Sequence, residues 1–257
     1  MTDEAAPRKV YRPSASGIER SEGCELSAVL PRPPEAPKAH NAPASRGDRI
    51  HKALERYSLG GRIEDVKHVM LPWDLPNFDE VVQHLPRLTP IPDLPYAEVE
   101  CWLNLMTGEA KLGVAETPVE EGFWRGRADL IGWYDHPEHG RIPCVEDHKT
   151  GNPNFQIDGG AKQLGYFVTW LHIFLEQPRI YSIAWLTKDA ERPRGHLWEA
   201  DEIVERFRGM RNHELRLQFL ERHPELMPEP VPDRKWCTFC PAKPVCPAHR
   251  KAEDVQP

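Results

Sequence analysis

Apolar and polar positions follow several rhythms along the chain. Ile50, Leu54 and Tyr57 share one helical stripe, which predicts a helix over residues 48–57. Residues 163–176 are apolar on most sides and predict a buried helix. Residues 201–222 carry the pattern of a long amphipathic helix. Residues 96–105 read as a strand or extended segment. Residues 123–134 and 142–150 read as strands separated by a polar turn at 136–140, and residues 180–187 as a further strand. Ser16-Gly17-Ile18-Glu19 fits a capping box and predicts a short helix running through Cys24 to Leu30. Pro31, Pro33, Pro34, Pro37 and Pro43 mark a stiff, non-helical linker; residues 86–95 form a second loop, and Pro224, Pro228, Pro230 and Pro232 a third. No internal repeat is present. The order helix, strands, helix, strand, helix predicts an α/β or α+β architecture, with helices around a mixed central sheet.

Composition narrows the class. The 257 residues are 39% hydrophobic and 28% charged, which suits a globular chain with a real core. No apolar run reaches the ~18 residues that a membrane span needs, so no membrane partner is expected. Residues 1–12 hold no apolar stretch of a secretory signal, and a cytoplasmic location is expected. In that reducing compartment the 6 cysteines are metal ligands or free thiols rather than disulfides. The formal net charge of -7 counts mildly against a nucleic-acid partner, although charge distribution matters more than the sum.

Two constellations carry chemistry. In the first, Gly126-Arg127-Ala128-Asp129 precedes Val145-Glu146-Asp147-His148-Lys149-Thr150-Gly151. Side chains on a strand alternate faces, so Asp147 and Lys149 project together and His148 points away. If the two strands pair as a hairpin, Asp129 sits beside them. Hydrolysis of a phosphodiester adds negative charge at phosphate. A divalent ion held by carboxylates offsets that charge, and a lysine can orient the attacking water. Hard oxygen ligands suit Mg²⁺ or Mn²⁺. Asp-x-Lys alone is equally compatible with an ordinary salt bridge. Arg125 and Arg127 share a face with Asp129 and are expected to pair with acidic neighbours.

In the second constellation, Cys237 and Cys240 are followed by Cys246, a thiolate spacing typical of zinc or iron–sulfur sites. Three thiolates leave a four-coordinate site one ligand short. His249 would complete a local zinc site; Cys24 is the other candidate. Cys101 and Cys144 lie in apolar, strand-like surroundings and read as free buried thiols.

Together, Gly126 to Asp129, Asp147 to Gly151 and Gln163 in a following helix resemble the PD-(D/E)XK nuclease superfamily. Within it the chain is most similar to the RecB-like branch, which includes the nuclease domains of RecB and AddB and the CRISPR-associated RecB-like exonucleases. The resemblance spans about residues 14–249 and is weakest over 62–117. It implies a restriction-endonuclease-like core, with His51, Asp129, Asp147 and the carbonyl of His148 on Mg²⁺ or Mn²⁺. Lys149 would position water and Gln163 would contact DNA or the lysine. The branch also places an acidic residue upstream, matched by Glu98 or Glu100. An aromatic, usually tyrosine, follows the glutamine by four positions; here that place is Phe167, with Tyr166 one position early.

The resemblance further implies that Cys24 joins Cys237, Cys240 and Cys246 on a [4Fe–4S] cluster, a structural staple. Glu25 stands where the branch often has proline. The domain reading is one nuclease domain over 1–257, with residues 1–12 a disordered tail and residues 14–30 and 233–250 a cysteine-cluster subdomain. The implied function is a metal-dependent DNA exonuclease or end-processing nuclease acting on single-stranded DNA or frayed ends. With no Walker P-loop in the chain, a helicase or another recombination or adaptation protein would supply unwinding. DNA repair is one such setting. The alternatives are a non-catalytic nucleic-acid-binding module and a zinc-stabilised structural protein.

Overall fold

The structure, a computed structural model, describes residues 9–32, 43–71, 73–74, 78–83, 88–115, 117–149, 161–186, 193–232, 237 and 240–249. Thr150, Gly151, Thr187 and linker prolines Pro33, Pro34 and Pro37 lie outside these residues, as do residues 1–8.

The chain enters through a 3-10 turn at Ala15–Gly17, α1 (Ile18–Gly23) and α2 (Leu26–Val29). The single helix expected across this segment is therefore two. Cys24 is extended, with φ -148° and ψ 90°, and breaks the helix between them. The expected capping box does not form: Gly17, which has no side chain to donate or accept, occupies the N-cap of α1.

Helix α3 (Pro43–Ser58) starts at Pro43 rather than at residue 48. Pro43, a linker residue by its sequence context, suits the first helical position because its missing N–H would have no partner there. Short helices α4 (Ile63–Lys67) and α5 (Phe78–Gln83) follow, in a region where no element was expected.

The sheet is built from β1 (Ala97–Asn104), β2 (Ala110–Leu112), β3 (Phe123–His136), β4 (Gly140–Lys149), β5 (Ile180–Leu186) and β6 (Arg194–Trp198). Helix α6 (Lys162–Leu175) joins β4 to β5, and α7 (Ala200–Arg222) follows β6. The six strands run in the order β2-β1-β3-β4-β5-β6. Only β4 and β5 pair in parallel, across the α6 crossover; the other pairs are antiparallel. This is the mixed sheet flanked by helices that the sequence pattern predicts.

Two of the buried clusters among the described residues fix the layers. Tyr166, Phe167, Trp170 and Leu171 of α6 pack with Val145 of β4 and with Met210 and Leu217 of α7, all fully buried. Ile50, Ala53 and Leu54 of α3 pack with Phe78, Val82 and Trp185 in a separate cluster. Each fully buried Leu, Ile or Phe is worth roughly 1.5–3 kcal/mol relative to exposure. Helix α3 therefore covers one face of the sheet and α6 with α7 the other.

The tail expected over residues 1–12 does not extend to its last residues. Val10 is buried in the main core, and Arg12 bonds Glu214 and Glu221 of α7.

Candidate active site

The β3–β4 register sets Leu130 opposite Glu146, so one step along the ladder Asp129 stands beside Asp147. Strand alternation is broken here. Ala128 belongs to the core under α6, whereas Leu130 belongs to a cluster on the other face with Cys144 and Ile183. On the neighbouring strand Glu98 takes a left-handed φ of 50°. Backbone irregularity of this kind bends a strand and re-aims its side chains. It turns Asp129 and Glu98 toward one cleft.

That cleft is a cavity of about 610 Å³ lined by His51, Lys52, Glu98, Arg125, Arg127, Asp129 and Gln163, among others. His51, on α3, holds Nδ1 3.3 Å from Oδ1 of Asp129. The backbone N–H of His148 donates to Oδ2 of the same carboxylate at 2.5 Å. On the α6 face, Lys149 pairs with Asp147 at 2.5 Å and donates to Oε1 of Gln163 at 2.8 Å. Gln163 Nε2 donates to Oδ1 of Asp147 at 3.0 Å. Five residues singled out from sequence thus converge from α3, β3, β4 and α6.

Electrostatics separates the two aspartates. Burial alone would raise the Asp129 carboxyl, but His51, His148 and the His148 amide carry it down to about 2. Asp147 is raised, by burial first and then by the charge of Asp129, with Lys149 opposing. Glu98 is raised by burial, by Asp129 and by Glu55, against Arg127 and His51. Each of these carboxylates has a basic neighbour: His51 beside Asp129, Lys149 beside Asp147 and Arg127 beside Glu98.

The remaining sequence candidates are placed as follows. Arg127 pairs with Glu98 at 2.8 Å and Arg125 with Glu100 at 3.6 Å, as expected of arginines beside acidic neighbours. Both arginines remain substantially exposed on the cleft wall. Tyr166 is fully buried, and its hydroxyl donates to the carbonyls of Cys101 and Trp124 at 2.9 and 2.8 Å. Phe167 is also fully buried and lines the cleft floor.

Strand alternation predicts that the His148 side chain points away from Asp147 and Lys149. Its side chain does point away from Asp147, yet its donor nitrogen, one of His51 and an oxygen of Asp129 lie within 4.8 Å of one another. Asp147 is not in that trio. Nothing in the local pattern signals it, because the partner imidazole comes from α3, about a hundred residues earlier.

A second cavity, of about 310 Å³, is lined by Cys24, Cys237, Cys240, Cys246 and His249, with Arg20 and Lys243. Cys240 is raised by burial and by Cys24 and Cys237, against the Ala242 amide and Arg20. Among the described residues no three of these donors come within 4.8 Å of one another. Cys101 and Cys144 are buried and unpaired by disulfide, and burial raises both thiols well above their ordinary range.

The arrangement defines a class: a mixed sheet presenting a Gly-x-x-Asp and an Asp-x-Lys on adjacent strands, with a glutamine from the crossover helix. The family model of the PD-(D/E)XK nuclease superfamily matches residues 12–247, and the chain belongs to that superfamily. Its sheet and flanking helices are the superfamily's restriction-endonuclease-like fold, and membership supports a hydrolytic nuclease. No curated protein matches the chain. Among solved structures it is similar to a candidate exonuclease from Eubacterium rectale, at 10% identity over 97% of this chain and 90% of that one, with a TM-score of 0.45. It is also similar to SSO0001, at 13% identity over 84% of this chain and 90% of that one, with a TM-score of 0.29. No helix among the described residues is long and apolar enough to cross a membrane.

Proposed function

We propose that this chain is a Mg²⁺- or Mn²⁺-dependent DNA exonuclease or end-processing nuclease of the RecB-like branch, acting on single-stranded or frayed ends. The observation that carries the reading is the Asp147–Lys149–Gln163 triangle set beside the His51–Asp129 pair. The donor set fits a divalent cation: the His51 imidazole lies against the Asp129 carboxylate, and Asp147 stands beside Asp129 on the adjacent strand. His51, Asp129, Asp147 and the His148 carbonyl would hold it. When bound, the ion offsets negative charge at the scissile phosphate and lowers the pKa of water.

The protein's own groups do the rest. Lys149, fixed by Asp147 and Gln163, orients the attacking water and can pass a proton. Gln163 keeps the ammonium in one place, so little ordering is left to the moment of reaction. Arg125 and Arg127 offer guanidinium groups to the phosphates entering the cleft, despite the net charge of -7. A strand threaded there would be gripped by its backbone rather than read by sequence.

The cysteines support a structural cluster. Cys24, Cys237, Cys240 and Cys246 line one cavity although the first is roughly two hundred residues from the others, so a shared metal group would staple both chain ends. Thiolates suit either a zinc ion or an iron–sulfur cluster. The resemblance to the iron–sulfur RecB-like nucleases makes a [4Fe–4S] cluster the reading we adopt, with residues 14–30 and 233–250 as its subdomain inside one nuclease domain. A helicase partner would feed such an enzyme from duplex ends.

The test combines anaerobic purification, an absorbance scan and iron and zinc analysis with digestion of end-labelled single-stranded DNA. Iron near four per chain and cleavage dependent on Mg²⁺ or Mn²⁺ are expected. Zinc in place of iron, with His249 as fourth ligand, would overturn the cluster; absence of cleavage with either ion would overturn the nuclease.

A further inference from the structure

Glu146 is wholly buried, and its one polar partner among the described residues is His148, whose Nε2 lies 2.7 Å from Oε1. Oε2 of Glu146 has no hydrogen-bond partner among the described residues. His148 is 2% exposed, with the Trp185 ring edge-on at 5.8 Å and the His51 ring at 6.2 Å. As a purely structural pair this is a poor arrangement. Taking two such groups out of water costs about as much as their attraction returns, and an orphaned oxygen adds to the cost.

The same arrangement makes sense as a ligand and its support. A carboxylate that accepts Nε2–H fixes the imidazole tautomer and leaves a lone pair on Nδ1. It also strengthens that nitrogen as a donor, the carboxylate–histidine–metal relationship. The donor nitrogens of His148 and His51 and an oxygen of Asp129 already lie within 4.8 Å of one another.

We propose that the His148 imidazole, held by Glu146, is a further metal ligand alongside His51, and that the imidazole pair makes the site select Mn²⁺ over Mg²⁺. Imidazole nitrogen favours the transition ion, whereas Mg²⁺ prefers an all-oxygen set. The inference rests on the nuclease reading for its purpose. Its test does not, because it is read without DNA.

Mn²⁺ is bound to the full chain and examined by pulsed electron paramagnetic resonance for nitrogen couplings, with Mn²⁺ and Mg²⁺ affinities measured by titration calorimetry. Two coupled nitrogens are expected in the wild type and one in His148→Ala. Mn²⁺ affinity should fall at least tenfold in His148→Ala and about ten- to a hundredfold in Glu146→Gln, with Mg²⁺ affinity much less changed. One coupled nitrogen in the wild type overturns the proposal, as do two that persist in His148→Ala. The wild-type spectrum decides the matter even if the alanine variant fails to fold. Two nitrogens without any DNA cleavage would leave the metal site standing and sink the nuclease.

Discussion

Lys149 and Gln163 are 2.8 Å apart, Nζ to Oε1, and each also binds a different oxygen of Asp147. The ammonium is therefore held on two sides before any substrate arrives. Lys149→Ala should reduce cleavage by roughly 10²–10⁴-fold, the range for a positioned proton-transfer group, while leaving folding and DNA binding unchanged. Gln163→Ala should lose less, because Asp147 still anchors the lysine. Single-turnover digestion with Mn²⁺ checks both. Wild-type rates in Lys149→Ala would remove this residue from the mechanism.

Much of this site is legible because period two is visible in a sequence: Asp147 and Lys149 share a face wherever that strand lies. The crossover helix is legible too, since Leu164 to Leu171 are too apolar for a surface helix. What stayed hidden depends on distant partners. Glu146 reads as one more carboxylate until its burial is seen. His148 reads as a bystander until α3 brings His51 to it. Strands β2 and β6 span only three and five residues, too few to show alternation. The break at Cys24 was masked by helix-compatible residues on either side.

Gly126 shows how tightly the motif packs. A Cβ at this position would stand 2.6 Å from Phe167, 2.7 Å from Tyr166 and 2.8 Å from Ala15. The requirement is close approach, and rigid rings cannot yield cheaply. Gly126→Ala should destabilise by about 1–3 kcal/mol through overpacking, or roughly 2–12 °C in Tm. Tyr166→Phe should cost about 1 kcal/mol by removing the hydroxyl that bonds Cys101 and Trp124, and should not alter DNA affinity. A loss of DNA binding in Tyr166→Phe, at unchanged stability, would give the hydroxyl a substrate role instead.

The cysteine cavity joins Cys24 to residues near the opposite end of the chain. If a cluster staples them, Cys240→Ser should bleach the visible absorbance and lower stability by about 3 kcal/mol or more, roughly 6–12 °C. Chelation or oxidation of the wild type should reproduce the same shift. Unchanged iron content and an unchanged melting curve in the variant would refute the staple.

The α7 side of the N-terminal segment should respond to pH through His213. Its ring is bonded to the Ser21 hydroxyl at 2.7 Å and stands perpendicular to Trp124 at 6.0 Å. Burial depresses the imidazole below its ordinary 6.5, with Arg206 acting in the same sense against Glu22, Glu25 and Glu214. The folded chain thus keeps His213 neutral at a pH where the unfolded chain takes up a proton. The unfolded state then binds more protons, so stability rises with pH in this window. The contribution is complete above 6.5 and is lost as pH falls below it, by at most ~1.4 kcal/mol per pH unit. Melting between about pH 7.5 and 5.5 should show this slope, and His213→Gln should flatten it while retaining a hydrogen bond to Ser21. An equal slope in the variant would assign the pH dependence to other groups and leave His213 a simple packing residue.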